Sequence, residues 1–274
     1  MPTAKVNGIE IYYEIKGEGY PLLMLQGFGA SSETWDTLVP RVADLSKYYT
    51  TITPDNRGTG RSSLPEGGFT VRTMADDSVA LLDELGIKKA HVLGTSFGGM
   101  ISQEIAINYP ERVKGLVLLY TGPGGSTFDY QGQRSAIEKM SWLSNPPTGM
   151  SPEAVMDEIL GICYYGKWLE VNKSRILASP SKYPTPTITY ARQYEALLGF
   201  DTTSRLSGIK SSTLVVHGEN DLAIFPEAAR FMASRIWGSE LRMLKEAGHC
   251  LSEERWGDVR EMVLEFLSRV EKEN

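Results

Sequence analysis

Residues Gly94–Gly99 read GTSFGG, directly after the apolar run Ala90–Leu93 and before a helix-like run, Met100–Tyr109. Strand, sharp turn and helix is the setting in which G-x-S-x-G raises its central residue out of the backbone line. Glycine at 94 and 98 removes side chains that would collide across so tight a turn. Ser96 is thereby lifted to the mouth of a pocket. The helix beginning just after it points free N–H groups and a positive dipole end at the same place, which favours developing negative charge. Ser96 is a candidate nucleophile and the Phe97 N–H a candidate oxyanion donor. An incidental serine in a glycine-rich turn is the plain alternative, and the rest of the chain bears on that choice.

Outward from this turn, short apolar runs alternate with amphipathic helical stretches, the pattern of a parallel sheet covered by helices. The strand-like runs are Leu22–Leu25, Tyr48–Thr53, Ala90–Gly94, Gly115–Tyr120, Thr213–His217 and Leu241–Leu244. The clearest helix spans Val71–Leu85 and stops at Gly86, and a second amphipathic run covers Trp256–Val270. Lys5–Val6 and Ile9–Ile15 flank Asn7-Gly8, a dipeptide suited to a tight hairpin, so the first two strands are expected to be antiparallel. Between Pro123 and Arg205 the alternation stops. Six prolines there, at 146, 147, 152, 180, 184 and 186, are expected to separate three or four short helices. The organisation predicted is a core of residues 1–122 and 206–274 with a helical cap, 123–205, inserted into it.

Composition narrows the function. The chain has 274 residues, with 28 basic against 34 acidic side chains and a net charge of −6, the opposite of a nucleic-acid footprint. No apolar run approaches the roughly 20 residues of a membrane span. The start, MPTAKVNG, has no secretory pattern. The two cysteines, Cys163 and Cys250, are far apart in sequence and point to reducing surroundings rather than a disulfide framework. A cytoplasmic protein acting on a small molecule is the expectation, with neither nucleic acid nor membrane as partner and no signal for an oligomeric state. Three dispersed histidines without HxH or HExxH supply no metal-site spacing, so neither metal nor cofactor is expected.

A hydroxyl nucleophile needs a base, and the histidines are His91, His217 and His249. His91 begins the strand whose other end carries Ser96. His217, in HGEND, is expected to shape a turn. His249 follows the last strand in a loop able to reach the site, which makes it the candidate base. Asp221, after the strand Thr213–His217, is the candidate carboxylate to orient it, with Glu219 as the near competitor and Asp129 and Asp201 as weaker ones. The loop Leu25–Ser31, LQGFGAS, supplies Phe28 N–H as a second oxyanion donor, because Gly27 and Gly29 allow close backbone approach. Cap aromatics, Phe128, Tyr130, Trp142, Tyr164, Tyr165, Trp168 and Tyr194, with Met140, Met150 and Met156, are candidates for an apolar pocket; Phe28, Trp142, Tyr165 and Trp168 are the ones chosen.

Taken together, QGFG at 26–29, DNRGTGRS at 55–62, GTSFGG at 94–99, HGENDLAIFP at 217–226 and AGH at 247–249 resemble the α/β-hydrolase superfamily, in its small capped esterase and lactonase-like branch. The chain departs at Gln26, where relatives commonly carry histidine. The resemblance implies an α/β fold with a mostly parallel eight-stranded sheet, and the chain order Ser96, Asp221, His249 for a triad. It gives the run Asp55–Ser62 a structural role, with Arg57 holding that loop. Serine rather than aspartate at 96 favours acyl transfer through an ester intermediate. The activity expected is hydrolysis of a small or medium carboxylic ester or lactone. Alternatives on the same scaffold are a cofactor-free perhydrolase or haloperoxidase-like activity, carbon–carbon bond hydrolysis, or a ligand-sensing receptor.

Overall fold

The computed structural model describes residues 2–125, 127 and 133–273. Phe128, Asp129 and Tyr130, expected to line a pocket or to compete as the acid, lie outside them. Eight strands, β1 (Thr3–Val6), β2 (Ile9–Lys16), β3 (Tyr20–Leu25), β4 (Tyr49–Pro54), β5 (Ala90–Thr95), β6 (Val113–Leu119), β7 (Ser212–Gly218) and β8 (Glu240–Leu244), form one sheet in the order β1-β2-β4-β3-β5-β6-β7-β8. β2 is antiparallel to both β1 and β4; every other pairing is parallel. The hairpin predicted at Asn7-Gly8 is present, both residues having the positive φ, 47° and 78°, that such a turn demands.

The parallel strands are apolar throughout because both faces are covered. On β3, Leu22 and Met24 enter one core and Leu23 and Leu25 the other, all four with no exposed surface. The first core is closed by α1 (Arg41–Leu45) and, after the short α9 (Leu251–Glu254), by α10 (Trp256–Lys272), which buries Val259, Val263, Phe266 and Leu267. The second is closed by α2 (Val71–Glu84), α3 (Phe97–Asn108) and α8 (Pro226–Arg235). Helix α2 starts where Thr70 and Thr73 exchange side-chain-to-backbone hydrogen bonds, and ends before Gly86 at φ 69°.

Among the described residues, four α-helices intervene in sequence between β6 and β7: α4 (Gln133–Ser141), α5 (Pro152–Cys163), α6 (Gly166–Leu177) and α7 (Thr187–Leu198). Prolines punctuate them as their fixed φ dictates, Pro152 at the first turn of α5 and Pro186 just before α7. Among the described residues no helix is long and apolar enough to cross a membrane.

Strand order decides where a site can form. β3 leads to β4 on one side, and the chain then crosses back to β5 on the other, so the loops leaving β3 and β5 open a crevice at their carboxyl ends. The β4 loop steadies it. Asp55 accepts from Ser32 N–H at 2.6 Å and pairs with Arg61 at 2.9 Å. Arg57 holds this loop to α2, pairing with Asp77 through two hydrogen bonds of 2.6 and 2.7 Å. Both partners are nearly fully buried, so removing one strands an ion. Asp77→Ala is expected to lower stability by about 3–5 kcal/mol, read by urea unfolding. A loss under about 1 kcal/mol would mean that Arg57 is solvated without its partner.

Candidate active site

Ser96 follows β5 in a conformation, φ 50° and ψ −117°, that L residues rarely adopt. Its surroundings leave no alternative. Its N–H donates to Leu119 O at 2.9 Å, and its carbonyl accepts from Thr121 Oγ1 at 2.7 Å. A Cβ on Gly98 would lie 2.1 Å from Leu25 O, and one on Gly94 2.3 Å from Gly98 O. The two glycines let the turn and the β3 loop approach closely enough to present the serine.

His249 arrives from the loop after β8 and Asp221 from the loop after β7. His249 Nε2 is 2.7 Å from Ser96 Oγ, and Nδ1 is 2.8 Å from Asp221 Oδ2. An ionised carboxylate only accepts, so Nδ1 carries the proton and Nε2 is free to take one from the hydroxyl. Burial works against ionising Asp221, but the charge of His249 and hydrogen bonds from His217 and His249 outweigh it and hold its pKa at about 2. Burial likewise opposes protonation of His249, and the Asp221 carboxylate outweighs it, raising the imidazole above its ordinary value. Tyr120, itself at φ 40°, sets its ring edge-on against His249 at 5.1 Å.

The β3 loop passes beside the serine. A Cβ on Gly27 would lie 3.4 Å from Ser96 Cβ and 3.9 Å from its Oγ, so the loop backbone runs within van der Waals contact of the serine. Two buried glutamines hold the loop: Gln26 Oε1 accepts from Gly27 N–H at 3.3 Å, and Gln193 Oε1 accepts from Gly29 N–H at 2.7 Å. The N–H between them, on Phe28, has no partner among the described residues, and neither has that of Phe97 at the start of α3. Gln26 also donates to Thr34 Oγ1 at 2.7 Å and accepts from Thr95 Oγ1 at 3.2 Å, so this glutamine anchors the loop. Gly29, at φ 66°, also makes room for the Tyr190 ring, which a Cβ there would meet at 2.1 Å.

Other candidates lie elsewhere. His91 is buried at the far end of β5 against Glu271, and burial pushes its pKa down to about 4. Glu219 is exposed, and Asp201 caps Thr203. His217 shapes its turn by donating from Nε2 to Ile224 O at 2.8 Å, and the same atom lies 3.0 Å from Asp221 Oδ2. Of the pocket candidates, Phe28 lies edge-on to Phe97 with ring centroids 6.0 Å apart. Tyr165 borders, with Asp221 and Phe225, a cavity of about 500 Å³. Trp168 stacks on Tyr164, and Trp142 lies beside Lys139. Among the described residues no cluster of three His, Cys, Asp or Glu is placed to hold a metal ion.

Residues that carry no motif tie each loop of the site to a different one of the four inserted helices. Gln193 on α7 holds the β3 loop. Gln133 on α4 donates to Ala223 O and accepts from Phe225 N–H, both at 2.5 Å, just beyond Asp221. Glu254 accepts from Gly248 N–H at 3.0 Å and from Tyr165 N–H at 3.1 Å, joining the His249 loop to the start of α6. Cys250 N–H donates to Cys163 O at 2.7 Å, so the two cysteines, both free thiols, are neighbours in space. Only Glu254 had a legible cue, an acidic residue five positions after His249.

Residues 20–255 match the family described as the alpha/beta hydrolase fold. The putative carbamate hydrolase RutD of Caulobacter segnis is 31% identical over 261 residues, 91% of this chain and 92% of that one. A 2-hydroxy-6-oxononadienedioate/2-hydroxy-6-oxononatrienedioate hydrolase of Escherichia coli O81 is 28% identical over 280 residues, covering 95% and 92%. The crystal structure of the enol-lactonase from Burkholderia xenovorans LB400 superposes with a TM-score of 0.82 at 27% identity, covering 97% of this chain and 100% of the other. A match running from β3 to just past the loop that carries His249, on a sheet that gathers its serine, histidine and aspartate loops at one edge, makes this protein a hydrolase belonging to the α/β-hydrolase fold family.

Proposed function

We propose that the protein hydrolyses a small or medium carboxylic ester or lactone through an acyl-enzyme intermediate on Ser96. The observation that carries this reading is the position of His249 between Ser96 Oγ and Asp221 Oδ2, at 2.7 and 2.8 Å. His249 takes the hydroxyl proton as Ser96 Oγ attacks the carbonyl carbon, then delivers it to the departing alkoxide. Phe28 and Phe97 N–H groups receive the oxyanion; each such donor is worth about 3 kcal/mol in the transition state. Water, deprotonated by His249, then attacks the acyl carbon; the bond to Ser96 Oγ breaks, His249 returns the proton to Oγ, and the acid leaves. Residues 123–205 act as the cap over this reaction, and the substrate is a small molecule.

Cleavage of a carbon–carbon bond next to a carbonyl is the second reading. Its support is the 28% identical Escherichia coli O81 hydrolase. A substrate panel separates the two: chromogenic esters of increasing acyl length, a lactone, an aryl carbamate and a vinylogous diketone. Sustained turnover of esters or the lactone that Ser96→Ala loses supports the first reading; exclusive turnover of the diketone replaces it with the second.

The pH profile adds a test of the base. Catalysis needs neutral His249, whose pKa is raised by Asp221, so kcat/KM is expected to fall with decreasing pH along a one-proton limb centred above the ordinary histidine value of 6.5. Asp221, near 2, stays ionised throughout that range and adds no second step. A limb centred below 6.5 would exclude a base paired with Asp221.

A further inference from the structure

Cys163 closes α5 in the segment inserted between β6 and β7, and Cys250 directly follows His249 in the core. The chain's two cysteines meet across the boundary between these parts. Cys250 N–H donates to Cys163 O at 2.7 Å. Standard bond lengths on either side of that contact hold the two Cα atoms to no more than about 6.6 Å apart, inside the span of about 4.4–6.8 Å that a disulfide bridges. Both thiols are free and partly exposed. A hydrogen bond between them, reinforced by the charge of His249, outweighs burial and holds Cys163 below the ordinary thiol value, while the same bond and burial push Cys250 up. One sulfur prone to ionise beside one that stays protonated is the arrangement of an attacking and a resolving thiol.

Their place in the chain decides what a bond there does. On the other side of His249, Gly248 N–H is held by both carboxylate oxygens of Glu254, at 3.0 and 3.2 Å, and a Cβ on Gly248 would lie 2.5 Å from Tyr165 N. Gly248 is therefore pinned. A sulfur–sulfur bond is only about 2.05 Å long, shorter than any nonbonded contact between thiols, so closing it draws Cys250 towards Cys163. The shift is taken up at His249, whose Nε2 has to stay near its 2.7 Å from Ser96 Oγ to accept the hydroxyl proton.

We propose that Cys163 and Cys250 are an oxidation site, at which a hydroperoxide forms a disulfide that ties the inserted segment to the His249 loop and draws His249 out of line with Ser96. Cys163 Sγ attacks the peroxide, forming a sulfur–oxygen bond as the oxygen–oxygen bond breaks, and the thiol proton leaves with the departing oxygen as water. Cys250 Sγ then attacks the sulfenic sulfur; the sulfur–sulfur bond forms, the sulfur–oxygen bond breaks, and the second thiol proton leaves with that oxygen as a second water. Two thiols lose two electrons, and one hydrogen peroxide is reduced to two waters. The disulfide is independent of the acyl-transfer reading above; only the loss of ester turnover rests on it.

The full chain, prepared reduced, is treated with hydrogen peroxide, quenched with catalase, and compared before and after by intact mass, by non-reducing peptide mapping and by kcat/KM on an ester. Expected are a loss of about 2 Da, a peptide joining Cys163 to Cys250, and a fall of about 10- to 100-fold in kcat/KM that dithiothreitol reverses. Cys163→Ala is expected to keep the activity of the reduced enzyme and to resist peroxide. Cys250→Ala is expected to stop at a Cys163 sulfenic acid, about 16 Da heavier, which dimedone captures. Unchanged mass, oxygen addition without the cross-link, or a disulfide between two chains overturns the site, and the wild type alone decides this even where a variant fails to fold. An activity loss that Cys163→Ala shares, or a cross-linked enzyme with unaltered kcat/KM, overturns the effect on His249. A reduced enzyme silent on every ester removes the acyl-transfer reading instead, and the mass still decides the disulfide.

Discussion

Ser96→Ala and His249→Ala are each expected to lower kcat on a well-turned-over ester by about 10⁴-fold or more, with the double variant little worse than either. The reason is that the hydroxyl and imidazole act as one device. With Ser96 Oγ only 2.7 Å from His249 Nε2, removing the base leaves a hydroxyl that is scarcely ionised near neutral pH, and removing the hydroxyl leaves the base nothing to activate. Residual rate in either variant comes from the Phe28 and Phe97 donors and from binding. Steady-state rates for the two single variants and the double, prepared alike, check this; losses that multiply would show two independent contributions. Ser96→Ala also relieves none of the backbone strain, since φ 50° is held by the Leu119 and Thr121 hydrogen bonds and not by the hydroxyl.

Asp221→Asn is expected to lower kcat by about 10⁴-fold while the protein remains folded. The direction follows from which oxygen can become nitrogen. Asp221 Oδ1 accepts from both Ala223 N–H and Ile224 N–H at 2.9 Å, so the asparagine oxygen must stay there. The new NH₂ then takes the place of Oδ2, facing His249 Nδ1 and His217 Nε2. Facing a donor, His249 turns to the tautomer with its proton on Nε2, which cannot accept from Ser96. His217 Nε2 keeps Ile224 O as its partner, and so the turn survives. Circular dichroism and an ester assay measure the two halves; wild-type turnover by Asp221→Asn would assign the orienting carboxylate elsewhere.

The layered fold was legible because its causes are local. Strands sealed on both faces must be apolar along their length, as at Leu22–Leu25 and Leu116–Leu119, and positive φ at Asn7, Gly8 and Gly86 leaves a residue-level mark. Strand ends shifted by a residue or two, since hydrogen bonding to a neighbour extends pairing past the last apolar side chain: Thr95 joins β5, and Thr3 and Ala4 join β1. For Ser96, Asp221 and His249 the strand order sufficed, because each follows the carboxyl end of a strand of one sheet.

The support around these residues was not legible. Gln193, Gln133 and Glu254 belong to no motif, and each acts across a long span of chain: Gly29 to Gln193, Gln133 to Ala223, and Tyr165 to Glu254. Gln193 and Gln133 carried no pattern by which to single them out, and a glycine's purpose depends on what approaches it. That Gly29 faces the Tyr190 ring could not be read from the loop sequence. By itself the sequence determined the sheet, its helices and the residue types gathered at one edge, since periodicity and turn chemistry act between near neighbours. Only the tertiary structure decided how the segments inserted between β6 and β7 grip the three loops of the site, because a hydrogen bond between distant segments leaves no trace in either one alone.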